Sequence, residues 1–294
     1  MAIDKTKILQ AGKIALEARE YAREFIKKGM PLLEIADKIE SKMVELGGKP
    51  AFPTCLSINE IAAHSTPSHD DKRTAEGILK IDMGAHIDGW IADTAFSIDL
   101  ENNEENKKLI VASEKALESA IKTAKKGIKL SEIGKSIFNE IGSLGFSPII
   151  NLSGHGIGRY ELHARVSIPN FDNKGKEIME EGLYAIEPFA TSGNGKIRDG
   201  KPSGIYRLES EKNVRGILAR EALKFIIKEY QTLPFCSRWL VRKLGTKALI
   251  GLKQLEENGN LHSYAELIES SGKNVSQSEH TILVEKDEVI VTTR

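Results

Sequence analysis

Apolar residues fall at helical spacing over several stretches of this chain. Leu32, Ile35, Ile39, Met43 and Leu46 form one stripe, and it ends at Gly47, a usual helix stop. A second stripe of the same form lies within 126–148. Each is preceded by another long helical pattern, at about 4–27 and 103–126. Strand patterns follow each helix pair. Residues 78–98 read ILKIDMGAHIDGWIADTAFSI, two apolar runs around Asp88-Gly89. That dipeptide is a strong signal for a two-residue hairpin turn. With it at the turn, Ile87 faces Trp90 and Asp82 faces Ala95. Asp93 is then the diagonal neighbour of Asp82 on the same face, with Cβ atoms roughly 7 Å apart.

The two helix pairs are related. At an offset of 98 residues, Lys28, Gly29, Leu32, Glu34, Ile35, Ile39, Leu46, Gly47 and Pro50 all recur. Further on, E76-G77-I78-L79-K80-I81-D82 matches E181-G182-L183-Y184-A185-I186-E187, and His64 has a rough counterpart in His163. Matched glycine and proline boundaries argue against chance similarity between amphipathic helices. The chain reads as two related halves, each giving two helices, a histidine, and a strand ending in a carboxylate suited to metal.

The halves differ in one place. Asp82 and Asp93 are 11 residues apart, whereas Glu187 and Glu279 are 92 apart. The excess is an insertion over roughly 196–272, with helical patterns at 210–230, 235–243 and 246–257. Residues 196–271 carry 14 Lys+Arg against 9 Asp+Glu, so its surface is mildly basic. It is expected to wall one side of a cleft; a docking surface for a partner is the alternative. Its ends should lie close together, which makes it removable in principle.

The candidate chemistry lies in Asp82, Asp93, His155, Glu187 and Glu279. Each sits in a short apolar segment, where an unpaired charge is costly. Oxygen ligands bridge pairs of divalent cations well, and a single imidazole biases the set towards transition metals. The flanks of His155, G154-H155-G156-I157-G158, lack GxGxxG spacing, and no Walker Lys-Ser/Thr is present. Those glycines instead let backbone pass close to a crowded site. HExxH and nucleophile-elbow patterns are absent. His64, in N59-E60-I61-A62-A63-H64-S65-T66-P67, and His163 are either site residues or satisfied loop histidines, and the residues alone leave both readings open. His69, His86 and His262 have no supporting context and are expected at the surface. His280 follows Glu279 and, on an extended strand, points to the opposite face.

Composition narrows the class. Forty percent hydrophobic and 29% charged residues is ordinary globular usage, and the formal net charge is zero. A dedicated nucleic-acid binder usually shows a basic excess. The first ten residues, MAIDKTKILQ, lack the apolar core of a signal peptide. No apolar run approaches the ~18 residues of a membrane span. Cys55 and Cys236 form no CxxC pair and are expected as reduced thiols of a cytoplasmic protein.

With these motifs in place, the chain resembles the methionine aminopeptidases, specifically the type 2 class. The segments that carry the resemblance are A51-F52-P53-T54, A62-A63-H64, K80-I81-D82-M83-G84, Asp93, N151-L152-S153-G154-H155-G156-I157-G158, His163, Glu187, F235-C236-S237-R238-W239-L240 and E279-H280-T281. It starts directly with the first helix, as archaeal members do. The resemblance implies an α+β pita-bread fold, two pseudo-symmetric halves forming one catalytic domain over 1–294. The helical insertion at 196–272 marks type 2. It implies two divalent metal ions (Co, Mn, Fe, Zn or Ni), with Asp82 on one, His155 and Glu187 on the other, and Asp93 and Glu279 bridging. His64 and His163 would contact the substrate around the scissile amide, and Glu187 would shuttle a proton. Phe52 would line the methionine side-chain pocket. Pocket residues from the insertion are an open point, because S203-G204-I205-Y206 stands where eukaryotic relatives place a histidine. The implied activity is removal of the initiator methionine from nascent chains and peptides with a small second residue. A monomer with transient ribosome contact and no membrane or specific nucleic-acid partner is expected. Two rivals are a prolidase-like hydrolase of the same fold and a non-catalytic relative. The first usually carries a large N-terminal domain, and the second loses metal ligands.

Overall fold

The computed structural model describes residues 3–294. In the first half, helices α1 (Lys5–Phe25) and α2 (Leu32–Glu45) precede the short strands β1 (Lys49–Pro50), β2 (Cys55–Ile58) and β3 (Ile61–Ala63). The long hairpin β4 (Ile78–Ile87) and β5 (Trp90–Asp99) follows. The second half repeats the plan with α3 (Glu104–Thr123), α4 (Leu130–Ser143), β6 (Ser147–Pro148), β7 (Ser153–Gly158), β8 (Glu161–Pro169), β9 (Gly182–Ile186) and β10 (Phe189–Thr191). An excursion gives β11 (Ile197–Leu208), α5 (Ile217–Glu229), β12 (Phe235–Cys236), α6 (Ser237–Leu244), α7 (Ala248–Glu257) and β13 (Leu261–Glu269). The chain returns through β14 (Val275–Gln277), β15 (Glu279–Val284) and β16 (Val289–Val291). Among the described residues no helix is long and apolar enough to cross a membrane.

The long helices begin where the sequence supplies acceptors. Asp4 accepts from Lys7 N at 3.1 Å, and Asn103 accepts from the N–H groups of Glu105 and Asn106 at 2.8 and 3.1 Å. These bonds satisfy donors that helix geometry leaves without partners. The stripe Leu32, Ile35, Ile39 and Met43 is buried and joins Ala11, Ala15, Ala18 and Ala22 of α1 in one core against β4 and β5. A second core joins Ile133, Ile137 and Ile141 of α4 with α3 and the strands β9 and β15. The repeat also shows in the backbone: Gly29 N donates to Ala75 O and Gly127 N to Met179 O, both at 2.8 Å.

One sheet joins the halves, in the order β1-β4-β5-β15-β9-β7-β8, with β2 on β4 and β16 on β15. Strand β15 pairs antiparallel with β5 of the first half and β9 of the second. The result is the α+β organisation in two halves, the pita-bread arrangement, expected from the sequence. The hairpin register is also as the spacing predicts: Ile87 pairs with Trp90 and Asp82 with Ala95. Asp88 and Gly89 have φ of 49° and 85°, the left-handed pair that a tight hairpin turn requires.

His86 departs from expectation. It is buried, not at the surface. Its Nδ1 accepts the Gly89 N–H at 3.1 Å, and its ring packs against Tyr160 at 5.9 Å. Burial lowers its pKa to about 4. His262 is exposed and His69 is half-buried. His280 is buried away from Glu279, with Nδ1 2.8 Å from Thr293 Oγ1.

The segment between β10 and β14 carries its three helices together with two long strands that periodicity did not signal. Strands β11 and β13 pair with each other, and β13 adds β3 of the first half to the same sheet. Helix α5 starts at Ile217, later than the pattern at 210–230 suggested. Leu223, Ile226, Phe235, Leu240, Leu252 and Leu255 form an apolar cluster of their own there. The ends of the segment meet: Ser270 N donates to Lys196 O at 2.9 Å.

Candidate metal centre

Five adjacent strands each bring one candidate ligand to the same face of the sheet. Asp82 is on β4, Asp93 on β5, Glu279 on β15 and His155 on β7, and Glu187 directly follows β9. Asp82 and Glu279 both pair with Ala95, from opposite sides of β5. Gly84, opposite Asp93, makes Asp93 the diagonal neighbour of Asp82. His155 pairs with Ala185, two residues before Glu187. Gly154 lets β7 approach this closely, since a Cβ there would lie 2.4 Å from Ala185 O.

The side chains converge. Donor atoms of Asp93, His155 and Glu279 lie within 4.8 Å of one another. His155 Nε2 is 3.4 Å from Glu187 Oε1 and 3.8 Å from Asp93 Oδ2. Asp82 and Glu187 line the same cavity as these three.

No Lys or Arg pairs with any of the four carboxylates among the described residues. Buried oxygens of Asp82 (Oδ1), Asp93 (Oδ1) and Glu279 (Oε1) lack a hydrogen-bond donor. Burial raises the pKa of Asp82 to about 7, with a bond from Gln277 Nε2 at 3.3 Å pulling the other way. Burial raises Asp93, Glu187 and Glu279 well above the carboxylate range, and repulsion from the neighbouring carboxylates adds to it. His155 is lowered to about 4 by burial and so offers a neutral nitrogen. A donor set of four oxygen-bearing groups and one imidazole, with orphaned buried oxygens and no cationic side chain, fits divalent transition-metal ions.

The cavity has a volume of about 330 Å³. Beyond the carboxylates its walls include Phe52, Leu162, Phe189, Ile205, Pro234 and Leu267. His64 and His163 both open onto the cavity. The His163 ring stands edge-on to His155, with centroids 4.5 Å apart. His64 takes a left-handed backbone, φ 61°, just after β3. Desolvation lowers the half-buried His64 to about 4, and desolvation together with the neighbouring His155 lowers His163 below its usual value although the residue itself is exposed.

Sequence reasoning missed several wall residues. Tyr264 packs edge-on to His64 at 5.4 Å, and Ile205 and Leu267 reach in from the same excursion. Gln277 donates to Asp82; its position two residues before Glu279 is the one local signal for it. Cys55 pairs with Asp82 across β2 and β4 and is a buried free thiol.

Comparison with known proteins agrees with this geometry. The metallopeptidase family M24 model matches residues 6–286. A methionine aminopeptidase of Pyrococcus horikoshii is 49% identical over 296 aligned positions, covering 99% of this chain and 100% of the relative. Among solved structures, a thermophilic Arx1 superposes with a TM-score of 0.84 at 16% identity, covering 99% of this chain and 91% of that one. Methionine aminopeptidase from Thermotoga maritima superposes at 0.72 with 24% identity, covering 100% and 99%. These two structures share the fold; the family match and the P. horikoshii relative span nearly the whole sequence. The chain belongs to metallopeptidase family M24.

Proposed function

We propose that this protein is a methionyl aminopeptidase of the type 2 class, removing the N-terminal methionine from peptides and nascent chains with a small second residue. One observation carries the reading. Two buried carboxylates, Asp93 and Glu279, meet His155, with the half-buried Asp82 and Glu187 beside them and no cationic side chain paired to any of them among the described residues, in a cavity with apolar walls. The 49% identity to the P. horikoshii methionine aminopeptidase supports the same activity. The segment between β10 and β14 supports the type 2 class.

Asp82, Asp93, His155, Glu187 and Glu279 are the residues that would hold the two divalent ions. Bound there, the ions supply Lewis acidity and a water nucleophile that ionises near neutral pH. The remaining work falls to the chain itself. Phe52, Leu162 and Ile205 enclose the methionine side chain, whose unbranched thioether packs well against apolar walls and rings. His64 and His163, neutral at pH 7, donate N–H bonds that hold the scissile carbonyl oxygen and guide the departing amide nitrogen. Glu187 takes the proton of the attacking water on a carboxylate oxygen and returns it to that nitrogen.

The test is release of methionine from Met-Ala-Ser by EDTA-stripped protein, before and after adding Co²⁺, Mn²⁺, Fe²⁺, Zn²⁺ or Ni²⁺. Metal-dependent release of methionine alone is expected. Absence of release with every ion overturns the reading. Cleavage of Xaa-Pro dipeptides in its place would assign a prolidase.

A further inference from the structure

His64 is set in its place by the excursion between β10 and β14, which is remote in sequence. Three consecutive residues of β13 touch the turn that carries it. The Tyr264 ring packs against the His64 ring at 5.4 Å. The Ala265 backbone lies close enough to the His64 ring to raise its pKa against the burial that lowers it. Glu266 Oε1 accepts the hydroxyl of Ser65, the next residue, at 2.8 Å. Strand β13 also pairs with β3, through Leu267 with Ala63 and Ile268 with Ile61. Ser65 and Glu266 are both buried, at 0% and 3% exposure, so their bond is shielded from water. Arg73 closes the arrangement, donating to Ser65 Oγ at 3.0 Å and lying 3.6 Å from Glu266.

This framework has something to hold. A histidine at φ 61° occupies a backbone region that side chains with a Cβ rarely adopt, and such a conformation persists only when its surroundings fix it. A hydrogen-bonding imidazole is effective only when its N–H meets the reacting oxygen within a few tenths of an ångström. We propose that Glu266 is a positioning residue for His64, so that β13 makes the excursion part of the catalytic apparatus. The proposal rests on the role given above to His64. Glu266 does not itself line the cavity. It acts through Ser65 on the turn.

The experiment is a double-mutant cycle in metal-loaded protein, reading kcat and KM on Met-Ala-Ser together with bound metal. Glu266→Ala is expected to lower kcat by about tenfold to a hundredfold, the scale of a misplaced catalytic group. KM should move by less than about threefold, and metal content should stay at the wild-type level. Glu266→Gln keeps an acceptor for Ser65 and should recover most of kcat; Ser65→Ala should reproduce the loss from the other end of the bond. On a His64→Ala background, Glu266→Ala should add nothing. Wild-type kcat in Glu266→Ala and Ser65→Ala overturns the proposal. So does an equal loss from Glu266→Ala whether or not His64 is present, which would assign Glu266 a general structural role. If Glu266→Ala fails to fold, Ser65→Ala with and without His64 decides by the same criteria. Wild-type turnover in His64→Ala alone would instead remove the role of His64, a failure visible in that arm by itself.

Discussion

The two halves solve the same placement problem with very different connections. In the first, Asp82 and Asp93 lie on strands joined by the two residues Asp88 and Gly89. In the second, Glu187 and Glu279 follow and begin strands that pair just as directly, but the chain between them runs through β10, the whole excursion and β14. His280 pairs with Ile186, so that register continued by one residue sets Glu187 opposite Glu279. What places the carboxylates is therefore strand pairing, and the connection is free to do other work. In the first half it turns and docks locally, Asp88 pairing with Lys7 at 2.8 Å and Gly89 O accepting from Tyr160 N at 2.8 Å, but it lines no part of the cavity. In the second it supplies cavity walls and anchors the His64 turn.

The comparison is broken most severely by removing what the halves share. Asp93 stands at the centre, within reach of both Glu279 and His155. Asp93→Ala is expected to lower kcat/KM by about a thousandfold or more, several kcal/mol of barrier, as is chelation by EDTA. The metal-free protein should also show an inverted pH dependence. A carboxyl raised from 3.8 to about 7, as in Asp82, binds a proton in the folded state that the unfolded chain has released. Stability from that group is therefore fully present below about pH 4 and is lost as pH rises through about 7. The melting temperature of EDTA-treated protein should fall over this window, and Co²⁺ should remove the fall. Asp93→Asn should raise the metal-free melting temperature near pH 7 by relieving repulsion. A metal-free protein equally stable across the window would show that burial does not hold a proton on the Asp82 carboxyl.

Next in size is the bond between the excursion and the first half. If that connection were as passive as the Asp88-Gly89 turn, it could be cut away. Its ends do meet, yet Arg238 of α6 reaches across, fully buried. It donates to Glu40 at 2.7 and 2.8 Å, to Asp37 at 3.1 Å and to Pro67 O at 3.1 Å. Glu40 also accepts from Trp239 Nε1 at 2.7 Å and from Thr54 N at 3.2 Å. Arg238→Met leaves Glu40 buried without its cation and should cost about 3–5 kcal/mol of stability. Adding Glu40→Leu should recover only part, because Thr54 and Trp239 then lose their acceptor. Chemical denaturation of the metal-loaded single and double variants checks this. A loss under about 1 kcal/mol in Arg238→Met would place this pair among weak, screened ion pairs.

How far each half could be read in advance follows the same contrast. The first hairpin was legible to the residue because Asp-Gly fixes turn and register together, and register fixes which side chains share a face. The cluster of five residues was legible because charged residues inside apolar strands demand a partner, and among the described residues no Lys or Arg pairs with their side chains. Strands β11 and β13 were not. Gly200, Pro202 and Gly204 interrupt β11, and its pairing with β13 shifts register twice, which erases the period of two. The cavity contributions of Ile205, Tyr264 and Leu267 depend on that pairing, so they stayed hidden with it. His86 was misread because its partner is the backbone of its own turn, a contact that leaves no mark in residue type.

A smaller effect separates specificity from chemistry. Phe52 lines the cavity but is not among the converging donors. Phe52→Ala should raise KM for Met-initiated peptides about tenfold, within the range of a few apolar contacts, while lowering kcat less. Steady-state kinetics on Met-Ala-Ser and its norleucine analogue would show this. Unchanged KM for both would place the methionine side chain elsewhere in the cavity.

The smallest effect expected is at Gly84, and it returns to the two halves. The alignment of Asp82 with Glu187 carries Gly84 onto Phe189, two residues further on in each half. In the second half the strand supplies the cavity's ring from Phe189 itself. In the first half the strand withholds a side chain, and the ring of Phe52 occupies the space. A Cβ on Gly84 would lie 2.4 Å from Phe52 Cε1 and 3.2 Å from Ala92 O. The ring edge is the movable partner, so Gly84→Ala should push Phe52 into the cavity and leave the strand in place. The expected result is a severalfold rise in KM, smaller than for Phe52→Ala, with metal content unchanged. Phe52→Leu, which shortens the obstructing side chain, should relieve the effect in the double variant. Asp93 pairs directly with Gly84, so the alternative outcome is specific: loss of kcat and of bound metal together would mean that the strand yields and the ring does not.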